Sequence, residues 1–267
     1  MHVYVINLAR SLDRRTHITA ELRKTGLDYE IITAVDGRDL DLHDPTMIHS
    51  ELFAKNSFPA GTAGCALSHL RVYQKILADG LDKALILEDD VTLPADLGAI
   101  ADAVADHLTG AEVVLLNYAS PDTCKLSPEG SVDLPFSRLL ALPIDISRLA
   151  NAAAYVITRE ACGRMSENVL PVRANADDWQ FFYQEGVLDR VRCVLPVAVV
   201  KNSKFESTIG LYSMGNGVKA RLVEPFVRHK IPPFHQVILY RRQRIMRQME
   251  RSEIVDIPFI EKPSRLG

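Results

Sequence analysis

Short apolar runs alternate with helix-like segments along the first 120 residues of this 267-residue chain. The pattern predicts strands at 2–8, 29–35, 83–87 and 112–118, and helices at 11–26, 62–80 and 94–107. Ser11 and Thr62 are the expected N-caps, and Gly26 and Gly80 the expected helix ends. Such alternation predicts a three-layer α/β domain with a largely parallel sheet, in which ligands bind beyond the carboxyl ends of the strands.

The chain beyond residue 118 is less regular but is expected to complete the same domain, which we assign to residues 1–213. Four prolines between residues 119 and 149 predict loops and short edge strands there. Strands are expected at 151–157 and 191–200, and helices at 159–168 and 177–186. The composition, 47% hydrophobic and 24% charged, is that of an ordinary globular protein.

The apolar run ALIL, at residues 84–87, is followed by three consecutive carboxylates, Glu88, Asp89 and Asp90, which we call the acidic triplet. Adjacent negative charges at the mouth of a sheet raise one another's pKa values unless something positive lies among them. A divalent cation is the simplest candidate, because Mg²⁺ and Mn²⁺ prefer carboxylate oxygens and keep positions for water and substrate phosphates. The alternative is a loop whose acidic residues are merely solvated.

Charge and cysteine content exclude several other classes of function. The formal net charge of −3 argues against a nucleic-acid-binding protein, which would have a basic excess. The four cysteines are far apart and form no C-x-x-C pair, so they predict reduced core thiols and no zinc site. The first apolar run is too short for a signal-peptide core, and none is long enough to span a bilayer. We therefore expect a cytoplasmic location.

Residues 214–267 differ in character and form a basic C-terminal extension. Arginine and lysine there are interleaved with apolar residues, and acidic residues are scarce. Residues 237–249 could form a basic amphipathic helix that lies on an anionic membrane surface, which would make the protein peripheral to the membrane. The alternative is a helix that packs on the domain with solvated arginines.

Other motifs for nucleotide chemistry are absent from the sequence. An aspartyl phosphatase needs D-x-D after the strand, whereas this chain has EDD. Neither G-x-G-x-x-G nor G-x-x-x-x-G-K-[ST] occurs, which removes the usual dinucleotide and P-loop interpretations.

A candidate general base follows in the stretch NADDWQFFYQEG, at residues 175–186. Asp178 is the first choice and Asp177 the second. The two aspartates directly precede the only tryptophan, Trp179. An indole can stack on a ligand ring, and an apolar wall raises the pKa of a neighbouring carboxylate. The alternative is that one of these side chains caps the following helix.

Four motifs resemble glycosyltransferase family 25, the bacterial lipooligosaccharide galactosyl- and glucosyltransferases that are related to the collagen galactosyltransferases. They are VINLARSLDRR at 5–15, AVDG at 34–37, GCALSHLRVYQKIL at 64–77 and ALILEDDV at 84–91. The resemblance is good over about residues 1–120, weaker to about residue 210, and absent for the basic tail. It implies a GT-A-like, Rossmann-type three-layer sandwich, here with a C-terminal basic helical extension.

The resemblance also implies a UDP-sugar donor, Mn²⁺ or Mg²⁺ as cofactor, and inverting transfer. Asp178, or else Asp177, would then remove the acceptor proton, and Trp179 would stack on the acceptor sugar. Asp90 matches the metal-binding aspartate of the family, and Glu88 would share the metal or, with Asp89, hold the ribose. The implied donor-binding residues are Asn7, Leu8, Arg10, Arg14, Arg15, Asp36, Gly37, Ser68, His69, Glu88 and Asp89. Either Arg14 or Arg15 would lie near the diphosphate, and Asp36 near the uridine.

Each of these assignments has a structural alternative. The two arginines could be exposed charges on a helix face. The Asp36–Gly37 pair could be a plain turn. His69, in the middle of a helix, could be a packed and hydrogen-bonded histidine.

The sequence therefore predicts a metal-dependent inverting transferase that moves a hexose, galactose before glucose, from a UDP-hexose. The acceptor would be a lipid-linked oligosaccharide or lipopolysaccharide core at the cytoplasmic face of the inner membrane. Two rivals remain: a non-catalytic protein that binds a sugar nucleotide or glycan, and a nucleotidyltransferase that releases pyrophosphate from UTP.

Overall fold

The computed structural model describes residues 1–55, 58–205 and 234–257. Its strands are β1 (Val3–Asn7), β2 (Tyr29–Thr33), β3 (Lys83–Glu88), β4 (Val91–Thr92), β5 (Glu112–Leu115), β6 (Cys124–Leu134), β7 (Arg138–Pro143), β8 (Ala154–Thr158), β9 (Arg190–Leu195), β10 (Val200–Lys201) and β11 (Ser252–Ile254). Its helices are α1 (Leu12–Thr25), α2 (Ser50–Lys55), α3 (Ala60–Ala78), α4 (Leu97–Ala105), α5 (Arg159–Asn168), α6 (Trp179–Gln184) and α7 (Phe234–Met249).

Within the described residues, the central sheet has nine strands in the order β11-β6-β7-β9-β5-β8-β3-β1-β2. β7 pairs antiparallel with β6 and β9, and β8 pairs antiparallel with β3 and β5, whereas the other pairings are parallel. Seven of the nine strands therefore run in one direction, and only β7 and β8 oppose them. The predicted α/β class with a largely parallel sheet is confirmed.

Helices cover both faces of this sheet because alternate side chains of each strand point to opposite sides. Val3, Val5, Leu85 and Leu87 are buried with residues of α1 and α4, whereas Tyr4, Ile6, Ala84 and Ile86 are buried with residues of α3 and α5. The two apolar clusters on either side of the sheet make the three layers that the sequence predicted.

The predicted helix ends are confirmed, but one predicted cap is wrong. Gly26 follows α1 with φ of 67°, and Gly80 follows α3 with φ of 70°, a left-handed conformation that suits glycine. α3 begins at Ala60, after an extended Pro59, so Thr62 lies inside the helix and is not its N-cap. Ser11 occupies the N-cap position of α1, although its side chain makes no capping hydrogen bond.

The segment expected to hold short edge strands instead forms a long antiparallel pair, β6 and β7. The expected last strand is divided into β9 and β10, and β10 leaves the central sheet. Lys201 of β10 pairs with Val91 of β4, immediately after the acidic triplet. This small second sheet brings a late part of the chain to the carboxyl end of β3.

The described part of the C-terminal extension is integrated into the domain. β11 pairs with β6 in the central sheet, and the Ser120 amide donates to the Met249 carbonyl at 2.8 Å. A division of the chain at residue 214 therefore does not separate this segment from the sheet; residue 214 itself lies outside the described residues. The predicted helix in the extension is present as α7. Within the described residues, no helix has the length and apolar character needed to cross a membrane.

Candidate active site

A cleft of about 390 Å³ opens at the carboxyl ends of β1, β2 and β3. Of the residues predicted from sequence, it is lined by Leu8, Arg10, Arg14, Asp36, Gly37, Ser68, His69, Glu88, Asp89, Asp90 and Asp177. Asn7 lies behind this lining and supports it. The strand-end location agrees with the expectation for an open α/β sheet.

Asp89 is held in the cleft wall by two buried side chains. Arg14 Nη1 donates to Asp89 Oδ1 at 2.8 Å, and Asn7 Nδ2 donates to Asp89 Oδ2 at 2.7 Å. Burial raises the pKa of Asp89, and this effect exceeds the lowering by the Arg14 charge and by the two hydrogen bonds. Asp89 therefore anchors the end of β1 and the first turn of α1 to the end of β3.

Glu88 and Asp90 share a cation that the sequence analysis did not identify. Lys201 Nζ lies 3.3 Å from Glu88 Oε2 and 3.8 Å from Asp90 Oδ2, and Arg14 Nη2 lies 3.6 Å from the same Asp90 oxygen. Burial acts to raise the pKa of Glu88, but the Lys201 charge and the contact with His69 lower it well below its usual range. Two cations thus relieve the repulsion within the triplet, and the divalent ion suggested by the sequence stays a prediction.

Asp36 lies at the exposed mouth of the cleft between two arginines. Its carboxylate accepts hydrogen bonds from the Arg38 side chain, and Arg10 Nε lies 2.9 Å from its Oδ2. The hydrogen bonds from Arg38, followed by the Arg10 charge, lower the pKa of Asp36 to about 2. Asp36 also caps a short 3₁₀ turn, Gly37–Asp39, so the turn interpretation and a location in the cleft are both correct.

The AVDG and GCALSH motifs pack against each other so closely that each requires a glycine. A Cβ on Gly37 would lie 2.2 Å from the Ala60 carbonyl oxygen, and a Cβ on Gly64 would lie 2.7 Å from the Gly37 amide. Ser68 Oγ adds a link by accepting a hydrogen bond from the Val35 amide at 2.8 Å. Helix α3 therefore fixes the loop that carries Asp36.

His69 is buried and lies at the end of a hydrogen-bonded chain of two tyrosines. Its Nδ1 is 2.7 Å from the Tyr155 hydroxyl, which is 3.0 Å from the Tyr73 hydroxyl. The other ring nitrogen, Nε2, faces Glu88 Oε1 at 3.9 Å and, among the described residues, has no hydrogen-bond partner. His69 is thus both the packed histidine of the structural interpretation and a group that lines the cleft.

The two adjacent aspartates before α6 have different roles. Asp177 lines the cleft and accepts a hydrogen bond from the Asn151 amide at 2.8 Å. Asp178 caps α6 by accepting from the Phe181 amide at 3.1 Å, and burial raises its pKa. Asp178 was the first choice for a general base on sequence grounds. The geometry favours Asp177 as the candidate base, because Asp177 lines the cleft whereas the Asp178 carboxylate accepts at the helix end.

The structure corrects two further predictions, those for Trp179 and Arg15. Trp179 is fully buried, stacks edge-to-face on Tyr155, and donates from its indole nitrogen to the Asn151 carbonyl at 3.2 Å. It therefore has no face to offer an acceptor sugar. Arg15 is exposed on α1 and is not among the described residues that line the cleft. Arg14 is the arginine that reaches the triplet.

Asn151 is a cleft residue that sequence reasoning missed. It has φ of 93°, which is unusual for a residue other than glycine, and all its backbone polar groups are engaged by the contacts described above. Its side-chain amide donates to Asn117 Oδ1, and Asn117 in turn donates to Glu250 Oε1 at 3.2 Å. A strained asparagine cannot be recognised from sequence, since Asn is also common in ordinary loops.

A divalent ion fits the chemistry of Asp90. Asp90 Oδ1 is buried and, within the described ranges, has no hydrogen-bond partner, which suits a hard cation that takes its remaining ligands from substrate phosphate and water. Cys65, His69 and Glu88 also bring one ligand atom each within 4.8 Å of one another. That set is less suitable, because burial raises the pKa of the Cys65 thiol well above its usual value and Lys201 neutralises Glu88.

The cleft of this α/β sandwich contains carboxylates at the strand ends and cations beside them. A domain with such a cleft is suited to bind a phosphorylated ligand. The model of glycosyltransferase family 25 (LPS biosynthesis protein) matches residues 1–179. The chain belongs to glycosyltransferase family 25.

Named relatives agree with this family. The lipooligosaccharide biosynthesis protein lic2B of Haemophilus influenzae is 28% identical over 191 residues, which are 66% of this chain and 66% of that protein. A glycosyltransferase 25 family member of Aedes aegypti is 35% identical over 97 residues, 34% of this chain and 16% of that protein. Human procollagen galactosyltransferase 2 is 30% identical over 96 residues, 33% of this chain and 15% of that protein. The match thus spans about a sixth of the length of the animal relatives.

Proposed function

We propose that this chain transfers a hexose from a UDP-sugar to a glycan acceptor of the lipooligosaccharide or lipopolysaccharide type. The proposal depends on one observation: Asp177 and the acidic triplet line the same cleft. Asp177 is a candidate base, and the cations beside the triplet suit a diphosphate. A relative named for lipooligosaccharide biosynthesis supports the acceptor class, and relatives named as galactosyltransferases favour galactose over glucose.

In the proposed reaction, an acceptor hydroxyl attacks the anomeric carbon of the donor from the face opposite to the diphosphate. The hydroxyl proton passes to the Asp177 carboxylate as the new glycosidic bond forms, and the bond from the anomeric carbon to the diphosphate oxygen breaks. The configuration at that carbon inverts, and UDP leaves. The Asn151 amide holds the Asp177 side chain by its Oδ2 and so leaves Oδ1 for the proton.

Asp90, with Glu88 beside it, would hold Mn²⁺ or Mg²⁺, which when bound supplies Lewis-acid stabilisation of the departing diphosphate. The Arg14 guanidinium lies 2.8 Å from Asp89 and 3.6 Å from Asp90. In this position it would also stabilise the negative charge of the departing diphosphate. Asp36 and the loop that α3 fixes lie at the mouth, where they would contact the uridine. Ser68 acts through this loop, whereas His69 acts through Glu88, which its Nε2 atom faces at 3.9 Å.

The site of action in this proposal is the cytoplasmic face of the inner membrane, reached by peripheral contact through α7. Val237, Tyr240 and Ile245 of α7 are 51%, 67% and 54% exposed and lie at helical spacing with Arg241 and Arg244. Apolar groups interleaved with cations suit an anionic lipid surface that carries the acceptor.

Release of UDP from a panel of UDP-sugars, with Mn²⁺ and with EDTA and without acceptor, tests the proposal. We expect slow metal-dependent hydrolysis of one UDP-hexose, followed by transfer with inversion when an acceptor is supplied. UDP binding without cleavage of any sugar nucleotide, with or without acceptor, would favour the recognition-protein rival. Pyrophosphate release from UTP would favour the nucleotidyltransferase.

A further inference from the structure

The two-stranded sheet of β10 and β4 positions Lys201 beside the acidic triplet. β10 and β4 are strands of two residues each that pair only with one another among the described residues, and Lys201 lies opposite Val91. The next amide, of Asn202, donates to the Asp90 carbonyl at 2.6 Å. This pairing fixes the backbone of Lys201 against the residues that follow β3, so its side chain enters the cleft beside Glu88.

The contacts of the Lys201 amino group are close enough for electrostatic attraction but longer than tight hydrogen bonds. Its distances to Glu88 and Asp90, 3.3 and 3.8 Å, exceed the roughly 2.7–2.9 Å of a charge-assisted N–H···O bond. The side chain is 27% exposed to the cleft. Burial acts to lower the pKa of Lys201, but the Glu88 and Asp90 charges raise it above its usual value, so the amino group is charged.

The arginines of the cleft form shorter ion pairs than Lys201 does. Arg14 donates to Asp89 at 2.8 Å, is 10% exposed, and lies over the Phe205 ring. Arg38 and Arg10 are bound to Asp36 at 2.7 and 2.9 Å, at the exposed mouth. A lysine also has three donors on a flexible stem, whereas a paired guanidinium is fixed in one plane. Lys201 is therefore a cation beside the acidic triplet that can turn to a ligand without breaking a tight hydrogen bond.

We propose that the Lys201 amino group binds the diphosphate of the nucleotide donor, turning from Glu88 and Asp90 towards the phosphate oxygens when the donor enters. This inference rests on the proposed function and adds a donor-binding residue to it. The contact is made to the leaving group, so it persists in the product complex with UDP. Its loss therefore affects the binding of UDP and not only turnover.

A purely structural role for Lys201 predicts a different result. A counter-ion that only relieves the repulsion within the triplet would stabilise the fold, and its removal would weaken the binding of every part of the nucleotide alike. A diphosphate ligand discriminates between uridine, which has no phosphate, and UDP. The ratio of the two affinities is thus the informative measurement.

The experiment is calorimetric titration of uridine and UDP, in EDTA, into the full chain and into Lys201→Met, Lys201→Arg and Lys204→Met. Lys204 is an exposed lysine of the same segment and serves as the matched control. We expect Lys201→Met to weaken UDP binding by roughly 10- to 100-fold, the range for one hydrogen bond between charged groups, and to leave uridine binding unchanged. Lys201→Arg should recover most of the UDP affinity, and Lys204→Met should match the unmodified chain.

Equal UDP affinity in Lys201→Met, or equal losses for uridine and UDP, would overturn the assignment while leaving the proposed function intact. Failure of the unmodified chain to bind UDP both in EDTA and with Mn²⁺ would instead remove the proposed function. If Lys201→Met does not fold because Glu88 is left unpaired, Lys201→Met with Glu88→Gln is compared with Glu88→Gln alone. The same selective loss of UDP affinity in that pair supports the proposal, and its absence refutes it.

Discussion

The Tyr155 hydroxyl lies 2.7 Å from His69 Nδ1 and so fixes the orientation of the imidazole ring beside Glu88. Burial raises the pKa of Tyr155 well above its usual value, so the hydroxyl remains protonated. The hydrogen bond turns the other ring nitrogen, Nε2, towards the Glu88 carboxylate at 3.9 Å. Tyr155 therefore positions the imidazole nitrogen that faces the acidic triplet.

Tyr155→Phe tests this arrangement. The substitution keeps the ring that packs on Trp179 but removes the hydroxyl that orients His69 Nδ1, so we expect weaker donor turnover with the fold retained. Loss of one buried hydrogen-bond partner should lower the free energy of unfolding by about 1–3 kcal/mol. Denaturant unfolding and donor-hydrolysis kinetics measure the two effects. Unchanged kinetics in a variant that is destabilised by this amount would mean that His69 is only a packing residue.

Asp177→Asn and Asp178→Asn separate the proposed base from the helix cap. We expect Asp177→Asn to abolish most transfer and to spare UDP binding, since an amide cannot accept the acceptor proton. Asp178→Asn should remain nearly as stable and active as the unmodified chain, because asparagine is an equally good N-cap. Asp178→Ala should cost about 1 kcal/mol of stability. Strong loss of transfer in Asp178→Asn would restore Asp178 as the base.

The sequence predicted the parts of the site that follow from strand ends. Glu88, Asp89 and Asp90 come directly after an apolar run, and the carboxyl ends of parallel strands meet at one edge of the sheet, so their location required no tertiary information. The family resemblance then implied that Arg14 or Arg15, Asp36 and His69 bind the donor, and the structure places Arg14, Asp36 and His69 in the same cleft as the triplet.

The residues that the sequence did not predict depend on pairing between distant segments. Lys201 enters the site because β10 and β4 form a sheet of two residues each, too short to produce a periodic pattern. Asn151 is special only in its backbone conformation and its partners. Trp179 was misassigned because a tryptophan beside two carboxylates fits a sugar-stacking surface and a buried core equally well.

Asp90→Asn tests whether the buried Asp90 Oδ1 atom binds a metal ion. We expect loss of metal-dependent turnover with the fold intact, because an amide is a weaker ligand for Mn²⁺ and Mg²⁺ than a carboxylate. Binding of Mn²⁺, measured directly by its electron paramagnetic resonance signal with and without UDP, should weaken in parallel. Cys65→Ser is the control for the alternative ligand set. Normal Mn²⁺ binding by Asp90→Asn together with weak binding by Cys65→Ser would transfer the metal to Cys65, His69 and Glu88.

Gly64→Ala tests the close approach of α3 to the loop that carries Asp36. A Cβ there would lie 2.7 Å from two backbone atoms, the Val35 carbonyl oxygen and the Gly37 amide, so the loop must move. We expect a loss of about 1–3 kcal/mol of stability, typical of overpacking, and weaker UDP binding. Gly163→Ala, in α5 where a Cβ meets no atom within 4 Å, is the matched control. A variant of Gly64 with normal stability and normal affinity would show that the loop does not need this approach.

The proposed membrane contact through α7 is best tested by charge reversal, because deletion of the extension would also remove β11 from the central sheet. Arg241→Glu with Arg244→Glu should weaken binding to vesicles that contain phosphatidylglycerol by at least tenfold, since each basic residue near an anionic surface contributes about 1 kcal/mol. Turnover on a soluble acceptor should not change. The control is Arg15→Glu with Arg23→Glu, which reverses two exposed charges on α1. Equal losses in the two double variants would indicate a diffuse electrostatic effect, and unchanged binding in both would remove α7 as the membrane contact.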